Sequence, residues 1–355
     1  MLASSLKVMT TTERETGISK TKSRKASRGL LTGAGPATRA ARSKSMLNPP
    51  SKESLTYKAL PVSKNLMPDL QDKIILVTGA TSGIGEVTAR ELARQGAHVI
   101  LLARNAEKAA RTQREIIAAT GNERVDTVLA DLSVLQQVRD VAAEIQAKYP
   151  RLDVLVNNAG LMFGAQREVS ADGYEMTLAT NHLGPFLLTS LLFDLLQKSP
   201  AARVVNVASM AYRFSKPTLD DLQSERSYSA VWEYGNTKLW NIMFTQELAA
   251  RLRAHGIANV TTNCLHPGAV ATNYGQQTGG IIGAALSLGR VFMISPEQGA
   301  ETSLFLAADP SVAAVSGGFF SKKKAEPVKS SFNTLAHNRR LWELSEQLTQ
   351  TSFLD

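Results

Sequence analysis

The stretch Lys73-Ile-Ile-Leu-Val-Thr78 constrains this chain more than any other feature. It is a continuous apolar run closed by glycine, the pattern of a strand buried on both faces. Residues 86–95 follow with helical periodicity, 97–103 form a second apolar run, and a polar helix covers 105–120. Further strand-like runs stand at 124–130, 153–157, 202–208 and 259–266, with helical stretches between them. Strands alternating with helices imply a parallel sheet with helices on both faces. With right-handed crossovers, the expected fold is α/β: a single Rossmann-type doubly wound parallel sheet.

The net charge of +9 invites a polyanion-binding reading, so its location matters. Residues 1–70 hold 13 Lys/Arg against 4 Asp/Glu, whereas residues 71–355 hold 27 of each. The excess lies wholly in the N-terminal extension, so no nucleic-acid partner is expected of the folded part. Residues 1–66, rich in Ser, Thr, Arg and Lys, read as disordered. Three accounts of them stay open. They form a transit peptide for a plastid or mitochondrion, or a start assigned too early in a cytoplasmic protein whose first residue is Met67, or a basic tail for acidic surfaces.

The single cysteine, Cys264, excludes an internal disulfide and any multi-cysteine metal site, and it reads as a small buried hydrophobe. His182, His255 and His266 lack metal-ligand spacing, so no metal is expected. No stretch reaches the roughly 18 uninterrupted apolar residues of a membrane span.

The first turn reads Thr78-Gly79-Ala-Thr-Ser82-Gly83-Ile84-Gly85, after a buried strand and before a helix. Glycines 79, 83 and 85 allow a tight turn and close approach to a pyrophosphate, whose charge the helix N-terminus stabilises. At the end of the second strand stands Arg104, where an NAD site carries an acidic residue for the ribose 2′-hydroxyl. A guanidinium there forks onto a 2′-phosphate, so NADP(H) is expected ahead of NAD. Asp131-Leu132 ends the third strand, with a carboxylate for the adenine amino group. Asn157-Asn158-Ala159-Gly160 ends the fourth, where small residues admit the ribose and nicotinamide.

Tyr234-Gly-Asn-Thr-Lys238 opens a helical stretch, and i, i+4 spacing puts phenol and ammonium on one face. A phenol with a pKa of about 10 is a poor base until a neighbouring cation lowers it. Tyr234 then protonates a carbonyl oxygen as hydride arrives, or deprotonates an alcohol in reverse. Ser209 closes the apolar run 204–208 with a hydroxyl suited to the reacting oxygen. Asn181 begins a long apolar helix, either holding a proton-relay water or capping that helix.

These motifs, in this order, resemble the short-chain dehydrogenase/reductase family over about residues 67–345. Ala103-Arg104, the 25-residue gap from Ser209 to Tyr234 and the tail Arg339-Arg-Leu-Trp-Glu-Leu-Ser345 are most similar to its retinol-dehydrogenase-like branch. The resemblance implies that Asn181, Ser209, Tyr234 and Lys238 form a catalytic tetrad. It implies further that Lys238 holds the nicotinamide ribose, and that Pro267-Gly268-Ala-Val270-Ala-Thr272 lines the nicotinamide, with Val270 and Thr272 on the carboxamide. Homo-oligomerisation through helices is also implied. One departure is Thr237, where the family often has Ser, and both keep a hydroxyl.

The expected organisation is the extension 1–66, an NADP-binding catalytic domain 67–325 and a helical tail 326–355 packed on the core. Residues 273–294 mix glycine with apolar residues and suit either a lid over an apolar substrate or an amphipathic helix. The expected activity is hydride transfer between NADP(H) and an apolar carbonyl or alcohol. The rivals are a protochlorophyllide-type reductase and a non-catalytic NADP(H) sensor, which has no need of the Ser-Tyr-Lys set.

Overall fold

A computed structural model describes residues 69–268 and 294–355. The expectations for residues 1–66, for Val270 and Thr272, and for 273–293 lie outside the described residues.

The described strands form one sheet: β1 (Ile74–Thr78), β2 (His98–Ala103), β3 (Val125–Leu129), β4 (Val154–Asn157), β5 (Ala202–Val207), β6 (Val260–His266), β7 (Phe319–Ser321) and β8 (Lys324–Ala325). Their order is β3-β2-β1-β4-β5-β6-β7-β8. Every neighbouring pair is parallel except β7 and β8. The expected doubly wound parallel sheet stands, with one short antiparallel strand added at its edge. Its turn residues, Lys322 and Lys323, sit at φ of 49° and 62°, the left-handed backbone of a two-residue hairpin. Two lysines carry none of the Asn-Gly chemistry that announces such a turn in a sequence.

The helices are α1 (Gly83–Arg94), α2 (Ala106–Thr120), α3 (Leu135–Lys148), α4 (Met176–Leu178), α5 (Gly184–Leu191), α6 (Phe193–Gln197), α7 (Ala230–Ala254), α8 (Pro296–Ala308) and α9 (Leu335–Thr349). They cover both faces. On one face Leu76, Ile100, Leu155 and Val204 pack with Val141 of α3, Phe186 of α5, Leu239 of α7 and Trp342 of α9. On the other, Ile75, Val77, Leu101, Val156 and Val205 pack with Leu92 of α1, Ile116 of α2 and Leu306 of α8. Successive strand residues point to opposite faces, so a strand apolar at every position suits a sheet covered twice. Each such side chain contributes roughly 1.5–3 kcal/mol by leaving water.

Two local expectations shift. Helix α1 begins at Gly83 rather than Glu86, because Ser82 is extended and takes the N-cap position. The long helix expected from Asn181 is broken instead: α4 passes through a π-helical turn, Ala179–Leu183, into α5 and then α6. A π turn adds a residue to the helical turn and re-aims what it carries.

β1 has β2 on one side and β4 on the other, so the order in which strands are added reverses there and leaves a crevice at their carboxyl ends. The opposite end is held by Asp153, whose side chain is fully buried. It accepts from the Ile74 amide (2.9 Å), the Ser199 hydroxyl (2.7 Å) and Arg151 Nε (3.1 Å), with Lys73 Nζ at 3.4 Å. Burial pushes this carboxyl up, yet its hydrogen bonds and the two cations outweigh burial and hold it below the ordinary range. Asp153→Ala leaves the Ile74 and Ser199 donors unpaired, while Lys73 and Arg151, each about a third exposed, rehydrate. The expected loss is about 3 kcal/mol, roughly 6–12 °C in Tm by calorimetry. An unchanged Tm would show that the cluster holds nothing.

Candidate active site

The crevice is built from the ends of β1 and β4. Thr78, closing β1, is fully buried, and its Oγ1 accepts from the Asn158 and Ala159 amides at 3.0 and 2.9 Å. Asn158 Nδ2 donates back to the Thr78 carbonyl at 2.9 Å. Two strands 80 residues apart are thereby clamped edge to edge, and the Asn158 side chain shapes the glycine turn. Gly85 is required there by close approach: a Cβ would lie 2.4 Å from the Gly79 carbonyl oxygen and 2.3 Å from Asn158 Nδ2. Ser82 makes no side-chain cap, so among the described residues the first amides of α1, including those of Gly83 and Ile84, have no side-chain partner, as an anion site at a helix start requires.

Arg104 follows β2, is exposed, and has no partner among the described residues. Beside it Asn105 caps α2 by accepting from the Lys108 amide at 2.9 Å. Asp131 Oδ1 accepts from the amide and hydroxyl of Ser133 at 2.9 and 2.7 Å, which fixes the carboxylate and leaves Oδ2 outward. Leu132 is buried behind it. A free guanidinium, an uncapped helix start and an oriented carboxylate suit the 2′-phosphate, pyrophosphate and adenine of a dinucleotide.

The reactive half gathers on α7. Its apolar residues Leu239, Ile242, Met243 and Phe244 are buried, so the helix is locked against the sheet. Lys238, 3% exposed, donates from Nζ to the Val207 carbonyl at the end of β5 (3.0 Å), and its Nζ lies 5.4 Å from the Tyr234 ring centroid. Burial pulls its pKa down to about 8. Thr237 donates to the Tyr234 carbonyl (2.9 Å) and accepts from Asn181 Nδ2 (3.1 Å).

Asn181 neither caps a helix nor offers a free amide. Its Oδ1 accepts from the Leu161 amide and its Nδ2 donates to the Leu161 carbonyl, both at 2.8 Å. With Thr237 also served, both amide hydrogens are taken, and Asn181 is a bracket between the π turn, the segment after β4 and α7. Gly160 is what permits this convergence: a Cβ there would lie 2.9 Å from Lys238 Nζ and 3.3 Å from Asn181 Oδ1.

Ser209 caps the 3-10 turn Met210–Phe214, its Oγ accepting from the Ala211 amide at 3.1 Å. Among the described residues its own O–H has no acceptor, so it is available to a reacting oxygen. His266, read from the sequence as structural, ends β6 and accepts from the Met210 amide at Nδ1 (3.2 Å). Burial, aided by Arg213, pulls its pKa to about 4, so it stays a neutral acceptor holding the Ser209 turn. Pro267 and Gly268 follow β6 directly. Among the described residues no cluster of His, Cys, Asp or Glu suits a metal ion.

Fold and site together define an oxidoreductase that works with a nicotinamide cofactor on alcohols or carbonyls. The family model described as short chain dehydrogenase matches residues 73–279. Retinol dehydrogenase 14 of Mus musculus is 41% identical over 290 residues, spanning 78% of this chain and 86% of that protein. Retinol dehydrogenase 13 of Homo sapiens is 39% identical over 305 residues, spanning 84% and 89%. A crystal structure from Mycobacterium paratuberculosis superposes with a TM-score of 0.65 at 33% identity, covering 81% of this chain and 97% of that one. A short chain dehydrogenase of Shigella flexneri, complexed with NADP, gives 0.58 at 27% identity, covering 73% and 100%. This chain belongs to the short-chain dehydrogenase family and, within it, is retinol-dehydrogenase-like.

Proposed function

We propose that this enzyme uses NADP(H) to interconvert an apolar carbonyl and its alcohol, with Tyr234 as the general acid and base. The observation that carries the reading is the buried Lys238 ammonium beside the Tyr234 ring, tied to Val207 at the sheet edge. A cation there stabilises the phenolate that remains once Tyr234 has protonated the substrate oxygen. Ser209 donates its free O–H to that same oxygen as charge develops on it. Thr78, Gly79, Ser82, Gly83, Ile84, Gly85, Arg104, Asp131, Leu132, Asn158, Ala159, Gly160, Pro267 and Gly268 line the cofactor groove. When bound, the nicotinamide supplies the hydride in reduction and accepts it in oxidation.

An apolar substrate suits the walls. Leu161, Met162 and Phe163 follow Gly160 half-buried, and Met210 stands half-buried beside Ser209. Relatives named retinol dehydrogenases point to the same class, a long apolar chain ending in an alcohol or aldehyde. NADP and NADPH in structural neighbours from Shigella flexneri and Escherichia coli support the cofactor, as does Arg104. The test is NADPH oxidation by the full chain with retinal, long-chain aldehydes and apolar ketones. Turnover on this panel is expected, and none with small polar aldehydes. Preference for NADH, or for polar substrates, would overturn the reading.

A further inference from the structure

Helix α7 carries a second ionisable group that hydride transfer does not use. Glu233 directly precedes Tyr234, and on a helix the next residue points about 100° away, so the two face different surroundings. Glu233 is 1% exposed. Its Oε2 accepts from the Ser224 hydroxyl at 2.5 Å and from Asn236 Nδ2 at 3.3 Å. Asn236 Oδ1 in turn accepts from the Lys216 amide at 2.9 Å. One carboxyl thus grips the connection between Ser209 and Tyr234 at two points, directly at Ser224 and through Asn236 at Lys216.

That connection is also laced to the segment following β4. Arg167 Nε donates to the Gln223 carbonyl (2.9 Å), the Glu175 amide to Gln223 Oε1 (3.3 Å), and the Tyr228 hydroxyl to the Gly164 carbonyl (3.2 Å). Both segments leave the carboxyl ends of β4 and β5, where an open α/β sheet holds its ligand. On the function proposed above, they form the wall across which a substrate would reach Tyr234 and Ser209.

We infer that Glu233 is a positioning residue for substrate: its carboxyl latches the 216–228 wall to the helix that carries Tyr234 and Lys238. The substrate half of this inference rests on the function proposed above, whereas the latch itself does not. Among the described residues, the groups facing Glu233 offer it no cation. On α7 there is Asn236, from the wall Ser224, Asp221 and the Tyr228 phenol, and from the segment before the π turn Glu175, itself fully buried. Burial, reinforced by Glu175 and Asp221 and opposed by the bonds from Ser224 and Asn236, pushes its pKa up to about 7. Burial likewise raises Glu175, against the opposing bonds from Thr177 and Leu178 and the Arg167 cation. Two carboxylates cannot both ionise in a closed wall without water. The closed latch therefore weakens as pH rises from the ordinary carboxylate range to about 7 and changes little above it, as the wall opens to hydrate the charge.

The test is amide hydrogen exchange of residues 216–228 in the full chain at pH 6.0 and 8.5, corrected for intrinsic rates, beside Glu233→Gln. In the wild type, opening is expected to rise about tenfold between these pH values, as ionisation shifts the equilibrium. In Glu233→Gln, which keeps an acceptor without a titrating proton, it is expected to stay flat. Kinetics with NADPH and decanal then read the substrate half. The ratio of wild-type to Glu233→Gln KM rises over the same range, by at most the same factor, with the kcat ratio level. Ser224→Ala, cutting the latch from the wall side, raises exchange at both pH values. Equal pH dependence of exchange in wild type and Glu233→Gln overturns the latch. A latch seen by exchange with no change in the KM ratio overturns its role for substrate. Absence of any aldehyde turnover strikes the proposed function while exchange still decides the latch.

Discussion

Replacing Tyr234 by Phe is expected to lower kcat for aldehyde reduction by roughly 10²–10⁴, the usual worth of a positioned general acid. Dinucleotide affinity should be unchanged, because the ring stays and only the phenolic oxygen is lost. The size of the effect follows from the surroundings of α7. Lys238 is held by the Val207 carbonyl, and Thr237 by Asn181, so the backbone at Tyr234 is tied at two points and the Phe variant cannot rearrange to place another donor. Single-turnover NADPH oxidation checks the prediction, with NADPH fluorescence titration as the control. Retention of more than a tenth of wild-type kcat would exclude Tyr234 as the proton donor.

Arg104→Asp carries the second large effect. Arg104 stands exposed at the end of β2, where it has no other partner among the described residues, so removing it disturbs no internal bond. A guanidinium on a phosphate dianion makes charge-assisted hydrogen bonds worth about 1.5–3 kcal/mol each. Losing them and adding a like charge should weaken NADPH binding by roughly 10²–10³-fold. NADH has a hydroxyl in place of the phosphate, and the new carboxylate accepts from it. NADH affinity is therefore expected to hold or improve, and the ratio of kcat/KM values for the two cofactors to invert. Equal weakening of both cofactors would place the 2′-phosphate elsewhere.

Much of the scaffold is legible in the sequence alone. The run ending at Thr78 and its companions at 97–103, 153–157 and 202–208 show no polar alternation, which only a sheet covered on both faces accommodates. Arg104 and Ser209 were legible because each ends such a run, and a strand end in this architecture faces the crevice. The edge hairpin was not, since Lys322 and Lys323 take a conformation that sequences usually mark with Gly or Asn. Nor was the π turn at Asn181, because residues 179–189 are buried at every position and carry no apolar periodicity that an inserted residue could shift. Glu233 was passed over for a similar reason. A carboxylate one residue from Tyr234 reads as a solvated helix start until Ser224 and Glu175 are found closing over it.

The sequence by itself determined the class of fold and the spacing of the pair of groups proposed to do the chemistry. Apolar runs of strand length need a partner on each face, and i, i+4 spacing puts Tyr234 and Lys238 on one side of a helix whatever surrounds it. Only the tertiary structure decided how those groups are held. Lys238 finds the Val207 carbonyl 31 residues away, Thr78 clamps Asn158 across 80, and Asn181 brackets Leu161 and Thr237 across 20 and 56. These are directional hydrogen bonds between residues distant along the chain. No periodicity encodes them, and they exist only once the strands have been set side by side.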